Sequence, residues 1–169
     1  MKRIFYLLIF ISFISCIDDD DPAFEPVDFC PNYQICLKSS QIETLQNDLE
    51  KTRAHFDFYS TAEIVEFFKT KKEENPFLFI LDSEGNVLID NHTPYTEGQN
   101  LYESIDRITG SYYIQDIINS TSTLGENNWT SHFAENPSSE KLQQIYAIVS
   151  SIEKDGEKII FGNKNFVEK

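Results

Sequence analysis

The spacing of apolar residues changes once along this chain, at Pro76, and that switch restricts the fold more than any other feature. Before it, Ile42, Leu45 and Leu49 recur every three or four residues, and Ile64, Val65, Phe67 and Phe68 form a second such group. This is the period of helices that bury one stripe. Ser40-Gln-Ile-Glu43 and Ser60-Thr-Ala-Glu63 both match a capping box, in which a hydroxyl and a carboxylate satisfy each other's backbone N–H groups at a helix start. Phe56, Phe58 and Tyr59 lie between the two and predict a packed bend. After Pro76 the apolar runs are short and divided by turns. Phe77 to Leu81, Val87 to Asp90, Asn128 to Phe133, Ile145 to Glu153 and Lys158 to Phe161 predict strands. Ser83-Glu-Gly-Asn86, Glu135-Asn-Pro137-Ser-Ser and Lys154-Asp-Gly156 supply turns. A polar loop over 91–100 and a short helix near Tyr112 to Asn119 separate the second strand from the third. Helices followed by hairpin-linked strands predict an α+β domain: a central antiparallel sheet of about five strands with a long N-terminal helical segment.

The start of the chain has a different character. Lys2 and Arg3 precede an apolar run from Ile4 to Ile14, broken only by Ser12. The run suits the central region of an export signal and is too short to span a bilayer as a helix. It closes on Phe13-Ile14-Ser15-Cys16, which resembles the lipobox of bacterial lipoproteins, with Phe13 where Leu is usual. The resemblance implies that residues 1–15 are removed and that Cys16 is lipidated. The competing reading is a buried N-terminal helix with an incidental cysteine. Acyl chains contribute ~0.8 kcal/mol per buried methylene, so lipid alone provides a firm anchor. The mature chain then carries 12 basic and 28 acidic side chains, a net −16. That charge argues against nucleic acid and against a flat association with anionic headgroups.

Residues 16–36 are expected to form a lipidated acidic tether with a cysteine pair, and 37–169 a single domain. Asp18 to Asp21 resembles the acidic surface-export signal of some Gram-negative lipoproteins, or is a solvated spacer; both readings stand. The expected location is the cell envelope, at the outer membrane or cell surface. With Cys16 assigned to lipid, Cys30 and Cys36 remain as an even pair in an exported protein, which predicts a disulfide across CPNYQIC. The spacing is not that of a redox CxxC, and no histidine lies near enough to suggest a metal pair.

Several segments together resemble the single Cache domain, a PAS-like extracytoplasmic sensor module. They are FLFILDSEGNVLIDN, EGQNLYES, SYYIQDIINS, NNWTSHFAENP and IYAIVSSIEKDGEKIIFG. The matching positions are Asp82, Gly85 and Val87; Gly98, Asn100 and Leu101; Tyr112 and Tyr113; and Trp129, Asn136 and Pro137. The usual His-Pro after the second strand is replaced by Asn91-His92-Thr93-Pro94. Sensors of this family continue through a transmembrane helix into a kinase or methyl-accepting domain, and the sequence reaches Lys169 with neither. The resemblance implies a pocket on one sheet face, roofed by the loop and helix between the second and third strands.

Tyr95, Tyr112, Tyr113, Trp129 and Tyr146 are the candidate pocket walls, apolar bodies with polar tips. Each also suits core packing, which is slightly favoured for Trp129, and Tyr113 is the strongest candidate because Ile114, Ile117 and Ile118 already supply a core stripe on its helix. Asn91, Asn100 and Gln115 are candidates to orient a carboxylate or amide, and Arg107 is the one arginine in or beside the roof. The expected ligand is a small polar metabolite, an amino acid or short carboxylate. No catalytic residue, metal or cofactor is expected: the three histidines, His55, His92 and His132, have no metal-pair spacing, and no nucleophile elbow, P-loop or dinucleotide fingerprint occurs. The alternative is a structural or assembly lipoprotein that docks a protein partner and binds no metabolite.

Overall fold

A computed structural model describes residues 29–139 and 141–167. The expected export signal, Cys16 and the Asp18–Asp21 run lie outside the described residues. In chain order the elements are α1 (Tyr33–Cys36), α2 (Ser39–Phe56), α3 (Thr61–Thr70), β1 (Leu78–Asp82), β2 (Val87–Asp90), α4 (Tyr113–Ser120), β3 (Asn128–Asn136), β4 (Lys141–Lys154) and β5 (Glu157–Phe166). A single 3-10 turn, Pro94–Thr96, follows β2. The strands form one antiparallel sheet in the order β2-β1-β5-β4-β3. The five strands and the antiparallel sheet agree with the expectation from sequence.

This order places β2 and β3, the strands that flank residues 91–127, at opposite edges of the sheet. The intervening chain must therefore cross a sheet face. Its first stretch runs along the outside of β2, where Gly98 N–H donates to Val87 O (2.8 Å) and Leu101 N–H to Gly85 O (2.9 Å). An otherwise open edge is thereby covered. Gly85 has φ +83°, and a Cβ there would lie 3.0 Å from the Cβ of Tyr102, so both the turn and the crossing chain require glycine.

Alternation along the strands divides the core. Leu78, Ile80, Ile89, Ile148, Ile159 and Phe161 pack on one face with Leu45, Leu49 and Phe56 of α2 and Ile64 and Phe68 of α3. Phe79, Leu81, Val87, Ala147, Val149 and Ile160 form the other face and meet Ile114 and Ile117 of α4. Gly162 lies on this second face, where a Cβ would meet the Phe79 ring and the Ile148 carbonyl at 2.7 Å.

Two local features differ from the expectation. Ser60 and Glu63 do cap α3, with Ser60 N–H donating to Glu63 Oε2 at 2.9 Å. The first long helix, however, begins at Ser39 with Lys38 as its cap, and Gln41 accepts the Lys38 N–H at 2.8 Å in place of the Ser40/Glu43 box. The buried Leu37, whose N–H donates to Tyr33 O at 2.9 Å, fixes the chain just upstream and sets the earlier start. The second difference is α1. Cys30 and Cys36 are disulfide-bonded, with Cα atoms 6.0 Å apart, and the loop they close packs on the sheet. Cys30 N–H donates to Gln144 Oε1 (2.8 Å), and Gln144 Nε2 and the Tyr146 hydroxyl donate to Cys30 O (2.9 and 2.6 Å). Tyr33 stacks on Trp129 at 4.0 Å. The cysteine loop, read from sequence as tether, is thus held against β3 and β4.

Candidate functional site

The second face carries a polar cluster beneath the crossing chain. Register brings it together: Phe79 pairs with Asp90, Ala147 with Lys164 and Ile145 with His132, and these positions point to one side of the sheet. Lys164 Nζ donates to Asp90 Oδ2 at 2.6 Å, and the two residues are 7% and 8% exposed. The Asp90 Oδ1 accepts from the N–H groups of His92 (3.1 Å) and Thr93 (2.9 Å), which turns the chain off β2 and into the roof. Burial alone would raise the Asp90 carboxyl. The Lys164 charge and the hydrogen bonds from Lys164 and Thr93 outweigh it, so the group lies below the usual carboxylate range. The ammonium also sits 5.8 Å from the centroid of the Phe79 ring.

His132 lies beside this pair, 7% exposed, with its ring stacked on Tyr113 at 4.5 Å and 19°. Burial pushes its imidazole down to about 4; the Lys164 charge adds to this, while Asp106 and Asp90 oppose it. The neutral ring leaves Nδ1 without a hydrogen-bond partner, as is Thr130 Oγ1 on the same strand. Burial raises the Tyr113 phenol, and the neighbouring Ser104 opposes this. Asp106 secures the roof: it is buried, and its Oδ2 accepts Phe133 N–H at 2.7 Å while Oδ1 accepts Ile108 N–H at 2.8 Å. Burial raises the Asp106 carboxyl, but the N–H groups of Phe133, Thr109 and Ile108 bring it below its ordinary value. An open cleft of about 470 Å³, lined by Glu84, Asn100, Tyr102, Glu103 and Ser104, reaches the outer rim of the roof.

The arrangement offers a buried cation, a buried carboxylate, a phenol and two unpartnered polar atoms on one apolar floor. Such a set can bind and orient a small polar molecule. The described residues hold no group of three or more His, Cys, Asp or Glu arranged for a metal ion.

Of the residues singled out from sequence, Tyr113 lies in this cluster. Gln115 joins the roof through its Nε2, which donates to Tyr102 O at 3.1 Å. Tyr112 and Arg107 are exposed, and Tyr95 is 70% exposed. Asn100 is used locally: its amide donates to Glu84 O and Asn86 Oδ1, both at 2.9 Å, and braces the β1–β2 turn. Asn91 donates to Asn75 O at 2.8 Å, away from the cluster. Trp129 and Tyr146 face the opposite side of the sheet and pack with Tyr33. Asp90, Asp106, His132 and Lys164 have no motif to announce them. The usable signal is alternation: Ile160, Gly162, Lys164 and Phe166 continue the second face past the end of the apolar run.

The Cache domain family model matches residues 39–155. The chain belongs to the Cache family. Its fold is similar to the crystal structure of a methyl-accepting chemotaxis protein from Vibrio parahaemolyticus, at 17% identity and TM-score 0.57, over 73% of this chain and 87% of that one. It is likewise similar to the periplasmic sensor domain of a chemotaxis protein, at 15% identity and TM-score 0.57, over 76% and 92% of the two chains. No curated protein matches the sequence. In this Cache domain the polar cluster occupies the sheet face opposite the long α2. None of the described helices is long and apolar enough to cross a membrane.

Proposed function

We propose that this Cache domain is a lipid-anchored, extracytoplasmic sensor module that binds a small carboxylate-bearing metabolite, such as an amino acid or short organic acid, without catalysis. One observation carries the reading: the buried Lys164–Asp90 pair at 2.6 Å, beside the unpartnered His132 Nδ1 and Thr130 Oγ1. A net charge of −14 repels anions at long range, so a carboxylate needs a local, desolvated cation. Lys164 supplies one, in place of the exposed Arg107. An amino acid's ammonium would meet Asp90, and Tyr113 with the roof would close over the ligand.

The experiment is a thermal-shift screen of the full-length protein against amino acids, short carboxylates, amines and neutral sugars. Ligand at ~100 times Kd adds about 2.7 kcal/mol. For a domain of this size that corresponds to a melting shift of roughly 5–10 °C. Tyr113→Phe, which keeps the stack on His132 and removes the hydroxyl, is expected to weaken binding while leaving the unliganded melting point nearly unchanged. Shifts from sugars or amines with inert carboxylates would refute the carboxylate assignment.

The anchor is assigned to Cys16. Cys16→Ala is expected to move the protein out of the membrane fraction or leave an uncleaved precursor, read by fractionation and intact mass. Correct cleavage with unchanged membrane retention would remove the lipid from the proposal.

A docking role is favoured by one separate observation. Tyr59 and Phe67, 49% and 39% exposed, flank the His55 ring and form an aromatic patch at α2–α3 beside Glu63 and Glu66. If no small molecule binds in the screen, this patch is the place to seek a protein partner.

A further inference from the structure

The helix-facing side of the sheet holds a second polar site, unconnected with the cluster around Lys164. Asn163 of β5 is 1% exposed, pairs in register with Leu78 and Ile148, and has neither its amide oxygen nor its amide nitrogen hydrogen-bonded. A buried amide left with no partner at either atom is destabilising, and replacement by an apolar side chain of similar volume would relieve it. Asn163 lines a cavity of about 170 Å³ between β5 and the first turns of α2. Ser40, Thr44 and Asp48, spaced four apart along one stripe of α2, form the opposite wall, and Asn165 lies two residues along β5. Leu45 and Phe77 supply apolar surface.

The lining decides the class of ligand. It contains no cation, so anions have nothing to neutralise them. Its single carboxylate, Asp48, is already 2.9 Å from Lys51 Nζ, which disfavours a cation. What remains is a set of hydroxyls and amides that both donate and accept, against an aliphatic and aromatic wall. That is the chemistry of a neutral hydroxylated molecule. With a water occupying ~30 Å³ in the liquid, the space suits a polyol of about three to four carbons. We infer that the cavity between α2 and β5 is a binding site for a short neutral polyol, held by Asn163. This goes beyond the carboxylate reading, since Asn163 and Lys164 are consecutive on β5 and project to opposite faces.

The test is a titration of the ¹⁵N-labelled full-length protein with erythritol and glycerol, read at the Asn163 side-chain NH₂ resonance. Succinate serves as the matched anion. The expected result is a saturable shift centred on Asn163, Asn165, Ser40 and Thr44, absent with succinate. Asn163→Leu should abolish saturable shifts at Ser40 and Thr44 and raise the melting temperature. Should that variant not fold, Thr44→Val, on the exposed side of the cavity, is expected to weaken binding several-fold. A uniform linear drift of all amides with polyol, or saturation that persists in the variant, overturns the inference and leaves the cavity to solvent. Tyr113→Phe should leave the polyol response intact, so failure here and failure of the carboxylate reading are separately visible.

Discussion

Replacing Lys164 by Met is expected to destabilise the domain by about 3–5 kcal/mol, because it leaves Asp90 as a buried, unpaired charge. At roughly 3 °C per kcal/mol for a domain of this size, the melting temperature should fall by roughly 10–15 °C. Methionine keeps an unbranched apolar side chain of similar length, so the loss reports chiefly the charge and not the packing. Asp90→Asn in the same background should recover most of it, since a neutral amide can still accept the N–H groups of His92 and Thr93. Chemical denaturation of the parent, the single variant and the double variant measures this directly. A Lys164→Met protein within 1 kcal/mol of the parent would mean that water reaches Asp90 freely. The double variant carries the functional consequence: it should be folded and unable to stabilise a carboxylate.

The second large effect is a loss of stability on acidification that begins well above the carboxylate range. His132 titrates near its ordinary 6.5 when unfolded and at about 4 in the folded state. Between those values the unfolded chain binds the proton and the folded one does not, so stability falls as pH drops. The difference corresponds to about 3 kcal/mol, complete by pH 4. Asp90 and Asp106, whose folded values lie below the ordinary carboxylate range, make losses of the same sign only below about pH 4. His132→Phe should therefore flatten the stability profile between pH 6.5 and 4 and leave the steeper fall below it. A profile in that interval unaltered by the substitution would assign the effect to another group, with His92, also lowered by burial and by Lys164, the first to examine.

The architecture was legible because it follows from period and turn chemistry. The switch at Pro76, the short apolar runs beyond it and the turns at 83–86 and 154–156 all have local causes, and they place all five strands. Strand ends were read short: β5 runs to Phe166 because hydrogen bonding continues past the apolar run that ends at Phe161. The binding face was less legible. Whether Trp129 and Tyr146 look toward the roof depends on the parity of their strands, and a shift of one residue reverses it. Register puts Trp129 opposite Ile148 on the α2 side of the sheet, where Tyr33, from a segment that reads as linker, packs on it. Residue type also does not separate a solvated Lys or Asp from a buried pair, and Lys164 and Asp90 are brought together only by long-range register across β1 and β5.

The cysteine loop has a mechanical consequence. Any tension arriving through residues 1–28 enters the folded body at the disulfide loop, which short-circuits the backbone between Cys30 and Cys36. From there the load divides. One part passes to Gln144 and Tyr146 of β4, the strand that lies between β5 and β3 and shares long ladders with both. Pulling along such ladders shears many hydrogen bonds at once, whereas drawing out α2 from its end would break them one turn at a time. The docked loop thus directs any such load to β4, upstream of α2.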